Sequence, residues 1–131
     1  MENINKVWGE RRRLHIDKTS EIDLLYLKKD TFCSTHNHKT KINKFVVVKG
    51  KVRIETEFGK IILTENCIWV VRPPLLHRFC ALEDSTMIEF AYVEAGTIDP
   101  EDIDRISLGG KIIDGEECPI DILEMRGLLE L

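Results

Sequence analysis

Three of the four histidines in this 131-residue chain fall where they could meet at one metal ion. His36 and His38 stand two apart in Thr35-His36-Asn37-His38. On an extended strand, side chains alternate, so residues i and i+2 share a side about 7 Å apart. His77 follows Arg72-Pro73-Pro74-Leu75-Leu76, a proline-marked turn at the head of a new apolar run, where a neighbouring strand would deliver it. Imidazole nitrogens are ligands for zinc, iron, copper, nickel and cobalt, and they disfavour magnesium and calcium. Three protein ligands leave a position open for water or substrate. An ion held this way can polarise a carbonyl, lower the pKa of a bound water or carry oxygen chemistry. An isolated H-x-H pair is equally an exposed strand feature, so the weight rests on the elements around it. His15, in Arg12-Arg13-Leu14-His15-Ile16-Asp17, stands outside this set and reads as an ordinary surface or strand residue.

Those elements read as strands. From Ile22 to Phe90 the chain is a series of short apolar runs: I-D-L-L-Y-L, F-V-V-V, V-R-I-E-T, K-I-I-L-T, C-I-W-V-V, H-R-F-C-A-L and M-I-E-F-A-Y-V. Turn signals separate them at Lys49-Gly50-Lys51, Phe58-Gly59-Lys60, Glu65-Asn66, Pro73-Pro74 and Asp84-Ser85. Runs of this length at regular spacing, without an intervening helical pattern, predict an all-β sandwich or barrel. Val7-Trp8-Gly9 precedes the first strand, and its tryptophan is expected over one end of the barrel. Asp99-Pro100-Glu101 predicts a short helical turn with Asp99 as N-cap. One domain is expected over residues 1–131, with a core at about 8–111 and an apolar tail at 112–131, helical or irregular, that docks on this domain or on a partner subunit.

Composition narrows the classes. Hydrophobic residues at 43% and charged residues at 32% are those of a globular protein, and a net charge of −4 gives no electrostatic case for nucleic acid. Arg11-Arg12-Arg13 reads as a solvated edge. The N-terminus lacks the apolar core of a signal peptide and no stretch approaches a membrane span, so a cytoplasmic protein is expected. Cys33, Cys67, Cys80 and Cys118 form no C-x-x-C pair and are expected as free thiols. Cys33, three residues before His36, falls by parity on the opposite face.

The order of these features, histidines, strand, Gly50, strand and then Pro-x-x-x-His77, resembles the two-part pattern of the cupin family. Within it the chain is most similar to the C-terminal cupin domain of the type II phosphomannose isomerases. Val7-Trp8-Gly9 looks like that family's P-W-G, and Asn43 to Gly50 (N-K-F-V-V-V-K-G) looks like its E-H-W-x-V-V-x-G. His77-Arg78-Phe79 is similar to its H-R-L, Ile88-Glu89-Phe90 to its I-E-V, and Glu101 to Arg105 to its D-D-I-V-R. The chain has His36 where the family carries glutamine and Asn43 where it carries glutamate, which exchanges a carboxylate for an imidazole.

The resemblance implies a double-stranded β-helix, or jelly-roll, barrel holding one divalent transition metal on His36, His38 and His77 with Asn43 beside them. Zinc is the leading expectation, with iron, nickel, cobalt or manganese as alternatives. It also implies action on a small polar sugar or sugar phosphate, in the manner of mannose-6-phosphate isomerase, where a base moves a proton between carbons 1 and 2. Glu89 is one candidate for that base, although its face of the strand is undetermined, and Arg72 and Arg78 are candidate phosphate partners. The alternatives are a three-histidine iron dioxygenase and a non-catalytic cupin that binds a sugar or small anion. A homodimer is expected because Trp69, Val71 and Leu128 need cover, with a small-molecule ligand as the other partner and neither nucleic acid nor membrane.

Overall fold

The computed structural model describes residues 3–129. In chain order the strands are β1 (Asn3–Lys6), β2 (Gly9–Ile16), β3 (Ser20–Leu27), β4 (Thr31–Phe32), β5 (His36–Asn37), β6 (Ile42–Lys49), β7 (Lys51–Thr56), β8 (Gly59–Thr64), β9 (Ile68–Val71), β10 (His77–Ala81), β11 (Ser85–Tyr92), β12 (Asp104–Arg105), β13 (Gly110–Ile113) and β14 (Glu116–Pro119), followed by the helix α1 (Ile120–Met125). They form two antiparallel sheets. One is six-stranded in the order β1-β2-β3-β11-β6-β9, and the other runs β12-β5-β10-β4-β13-β14 with β7 and β8 added beside β10. The all-β architecture expected from the runs is observed, and its two antiparallel sheets agree with the jelly-roll that the resemblance implies.

Burial along the six-stranded sheet explains how one barrel holds both a core and a site. On β3 the inward residues are Glu21, Asp23, Leu25 and Leu27; on β6 they are Asn43, Phe45 and Val47; on β11, Met87, Glu89 and Ala91. The inner faces of β3 and β6 therefore change from apolar to polar, and on β11 the polar Glu89 lies between Met87 and Ala91. Leu25, Leu27, Phe45, Val47 and Met87 close a core with Val52, Ile54 and Leu63 of the facing sheet, each such side chain contributing about 1.5–3 kcal/mol. Trp8 caps this core edge-on against Phe79, with ring centroids 5.2 Å apart. At the β6–β7 turn Gly50 has φ 99°, and a Cβ there would lie 2.2 Å from Ser85 Oγ, so only glycine fits.

Several local readings change. Residues 3–16 form a hairpin that the apolar runs do not announce, because β2 is mostly charged. The segment after Lys111 opens as strand: β13 and β14 pair across Asp114-Gly115, whose φ values of 52° and 80° make the tight turn, and β13 extends the second sheet from β4. Only then does α1 follow, burying Leu123 in the core. Asp99-Pro100-Glu101 makes a turn without a helix, although Asp99 Oδ1 does accept the Glu101 amide at 2.9 Å. Trp69 and Val71 face inward and pack in the chain's own core, so neither awaits a partner. No helix among the described residues is long and apolar enough to cross a membrane.

Candidate metal centre and cavity

His36 and His77 are register partners on β5 and β10, with ring centroids 4.6 Å apart. His38 lies just past β5, 5.1 Å from His36 and 5.3 Å from His77 by ring centroid. One nitrogen from each ring falls within 4.8 Å of the others, and all three residues are buried. The shared side expected of His36 and His38 is present, but β5 is two residues long, so the strand does not hold His38 in place. Asp102 does. Its carboxylate accepts the amides of Lys39, Thr40 and Lys41 at 2.7, 2.9 and 3.1 Å. Burial works to raise the pKa of this carboxyl, and the three amides with the Thr40 hydroxyl hold it down at about 2.

The hydrogen bonds fix which nitrogen of each ring faces the centre. His36 Nδ1 donates to the Ser34 carbonyl at 2.8 Å, His38 Nδ1 to the Asp102 carbonyl at 2.6 Å, and His77 Nδ1 to the Leu75 carbonyl at 2.9 Å. With every Nδ1 proton engaged by main chain, every Nε2 carries a lone pair, the tautomer and orientation that metal-binding histidines adopt. Burial pushes His36 down to about 3 and His77 to about 4, and also lowers His38, so the rings are neutral. His77 Nε2 is buried without a hydrogen-bond partner, as is Asn43 Oδ1, while Asn43 Nδ2 lies 3.1 Å from His38 Nε2. Two buried acceptors without donors, His77 Nε2 and Asn43 Oδ1, are costly as they stand. A divalent cation satisfies both. Turning the Asn43 amide over presents Oδ1 in place of the amide nitrogen, so the residues present fit the ion.

A cavity of about 380 Å³ opens beside these rings, lined by His36, His38 and Asn43 but not by the deeper His77. Glu89 lines it too, on the face shared with Met87 and Ala91, which resolves its direction. Asp23 stands opposite Glu89 on β3 and pairs with Arg13 at 2.6 Å. Burial, and next the Asp23 charge, push Glu89 up to about 7. Glu89 has no hydrogen-bond or ion-pair partner among the described residues.

The cavity's cations are not the two arginines weighed as phosphate partners. Arg72 pairs with Glu94 at 2.8 Å on the surface. Arg78 lies over the Phe32 ring, gripped by Glu55 and Glu117 outside the barrel, so neither arginine reaches the cavity. In their place Lys6, Arg11 and Arg105 line it, and none has a hydrogen-bond or ion-pair partner among the described residues. They are close enough to matter to one another: burial lowers the Lys6 pKa, and Arg11 and Arg105 lower it further. Strand alternation could have found Arg11. The run Arg11-Arg12-Arg13 is not a uniform edge, because Arg12 sits over Tyr26 on the outer face while Arg11 and Arg13 point inward. Cys33 also lines the cavity, since residues 33–35 are not strand and parity does not apply there. Its thiol accepts the Phe79 amide at 3.3 Å, and burial raises its pKa, so it is an inert wall outside the histidine cluster.

The fold of this cavity is shared with solved proteins of low sequence similarity. KdgF from Halomonas sp. matches with TM-score 0.61 at 21% identity, over 66% of this chain and 79% of that one. Streptomyces PAC13, solved with uridine, matches with TM-score 0.69 at 11% identity, over 82% of this chain and 84% of that one. Salicylate 1,2-dioxygenase from Pseudoaminobacter salicylatoxidans, solved with gentisate, matches with TM-score 0.58 at 16% identity, over 63% and 24%. A sequence comparison with curated proteins finds no match. The family model described as mannose-6-phosphate isomerase C-terminal matches residues 1–107. With most of its length matched and the barrel in place, the chain belongs to the mannose-6-phosphate isomerase C-terminal family of cupins.

Proposed function

We propose that the protein is a metal-dependent enzyme acting on a small anionic sugar, such as a sugar phosphate, by moving a proton between adjacent carbons in an aldose–ketose conversion. The observation that carries this reading is the pairing of two features in one cavity: imidazoles preset for a metal, and three cations without counter-ions facing an unpartnered carboxyl. A divalent ion held by His36, His38, His77 and Asn43 would supply polarisation of a carbonyl oxygen. Lys6, Arg11 and Arg105 seat the anionic group and set which end of the sugar enters first. Glu89 takes the proton from the carbon beside the carbonyl and returns it to the former carbonyl carbon, while the hydroxyl proton of the first carbon passes to the former carbonyl oxygen. Burial pushes the Glu89 carboxyl up to about 7, which suits it to both roles. Trp8 and Phe79 close the apolar side of the cavity and exclude water from it.

The three neutral imidazoles, with no carboxylate among the ligands, also favour a second reading, an iron-dependent dioxygenase. Zinc-loaded and iron-loaded protein should each be mixed with a panel of hexose phosphates and followed by carbon-13 NMR and oxygen uptake. Ketose appearing with zinc and no oxygen consumption is the expected result. Oxygen uptake that requires iron overturns the isomerase reading in favour of the second.

A further inference from the structure

Two buried ions on the cavity wall, Glu21 and Lys41, have no part in the chemistry assigned above. Glu21 stands near the start of β3 on its inward side, two residues before Asp23, and is 5% exposed. Lys41 directly precedes β6 and is 6% exposed. Burying charged groups is costly unless their hydrogen bonds are made, and here they are only partly made. Arg13 Nη2 donates to Glu21 Oε2 at 3.2 Å and fixes that carboxylate, whereas Glu21 Oε1 has no hydrogen-bond partner. The Lys41 ammonium carries three donors. One reaches the Pro100 carbonyl at 3.4 Å, and its side chain makes no other hydrogen bond among the described residues. Glu21 Oε1 and Lys41 Nζ stand 3.9 Å apart, an ion pair too long to be a hydrogen bond.

We propose that Glu21 and Lys41 form a hydroxyl-reading subsite, which selects the sugar by one of its hydroxyl groups. The inference deepens the proposed function and rests on it for the class of ligand. Its chemistry follows from what each ion lacks. Oε1 needs a donor and the ammonium needs an acceptor, so the missing group must be both. A phosphate dianion or a carboxylate cannot donate to Glu21, and a ligand ammonium cannot accept from Lys41. A hydroxyl does both, and its one oxygen can stand about 2.8 Å from each atom across such a gap. Asp23, the next inward residue of β3, does not compete for that hydroxyl, because Arg13 holds its carboxylate at 2.6 Å. A sugar without the hydroxyl leaves both ions unsatisfied, the situation in which a site discriminates most strongly between ligands.

Isothermal calorimetry on the full chain with zinc tests this, using mannose 6-phosphate, glucose 6-phosphate, their monodeoxy analogues and the two free sugars. One monodeoxy analogue should bind the wild type about 10- to 100-fold more weakly than its parent, the range for a hydrogen bond to a charged group. In Glu21→Gln the single side-chain oxygen stays with Arg13 and the amide nitrogen, a donor, faces the gap. Parent and analogue should then bind within about threefold of each other. If that variant does not fold, Lys41→Met decides: it keeps the stem, removes the ammonium and should shrink the same ratio by about threefold or more. Analogues that all bind like their parents, or a ratio unchanged in the deciding variant, overturn the inference, while binding of the sugar phosphates leaves the proposed function standing. Free sugars that bind as tightly as their phosphates, with the same Glu21-dependent loss, uphold the inference and remove the anionic group from the proposed function. A chain that binds none of these sugars, charged or free, overturns both.

Discussion

The backbone carbonyl of Asp102 accepts the Nδ1 proton of His38 at 2.6 Å, while the carboxylate of the same residue gathers the amides of the turn that follows His38. One residue, 64 positions away along the chain, thus fixes both the tautomer and the aim of a metal-facing ring. In Asp102→Asn one oxygen becomes a donor that cannot accept amides, and the turn loosens. Zinc affinity, measured by competition with a chelator, should fall about 10- to 100-fold with the fold retained. Unchanged affinity would show that the turn holds itself.

The histidines also set a pH dependence. Each has a folded pKa below the 6.5 of the exposed ring, at about 3 for His36 and about 4 for His77. Between those values the unfolded chain binds more protons than the folded one, so stability rises with pH. Metal-free protein should therefore lose stability as the pH falls from about 6.5 to about 4, and His77→Phe should flatten that slope. Thermal melts at several pH values check this, and parallel curves for the two proteins would refute it.

Glu89 works in the opposite direction. Its folded pKa of about 7 exceeds the ordinary 4.5, so the folded state keeps its proton longer and stability falls as the pH rises through that window. Glu89→Gln, neutral at every pH, should melt a few degrees higher than the wild type at pH 8 and no higher at pH 4. It should abolish turnover while leaving zinc content unchanged. A Glu89→Gln enzyme that still converts substrate sinks the assigned role.

The three unpaired cations predict a charge-specific ligand. Arg11→Gln should weaken binding of a hexose phosphate about 10- to 100-fold by isothermal calorimetry, the range for a charged hydrogen bond. Arg12→Gln, one residue along on the outer face, should change it little. Equal losses in both would mean that long-range charge, not a seat in the cavity, attracts the anion.

Much of this architecture is legible in the chain, and the exceptions share a physical cause. The strands from Ile22 to Phe90 announce themselves by apolar runs and turn residues. Strand β2 does not, because its inner face lines a polar cavity in place of a core, so charged residues stand where apolar ones normally mark a strand. The hairpin at Asp114-Gly115 carries a strong turn signal that the apolar tail around it obscures. Spacing finds the three histidines. It cannot find Asp102, whose role depends on a contact across the fold. Nor can it orient Glu89, since Ile88 and Phe90 flank it alike and only Met87 and Ala91 reveal the shared face.

The central claim is that His36, His38 and His77 hold one ion together. Elemental analysis of the wild type and of His77→Ala, each purified without added metal, tests it most directly. The account predicts about one transition-metal ion per wild-type chain and almost none in the variant. Metal-free wild-type protein that also fails to take up zinc, or a variant that keeps a full complement, would contradict it.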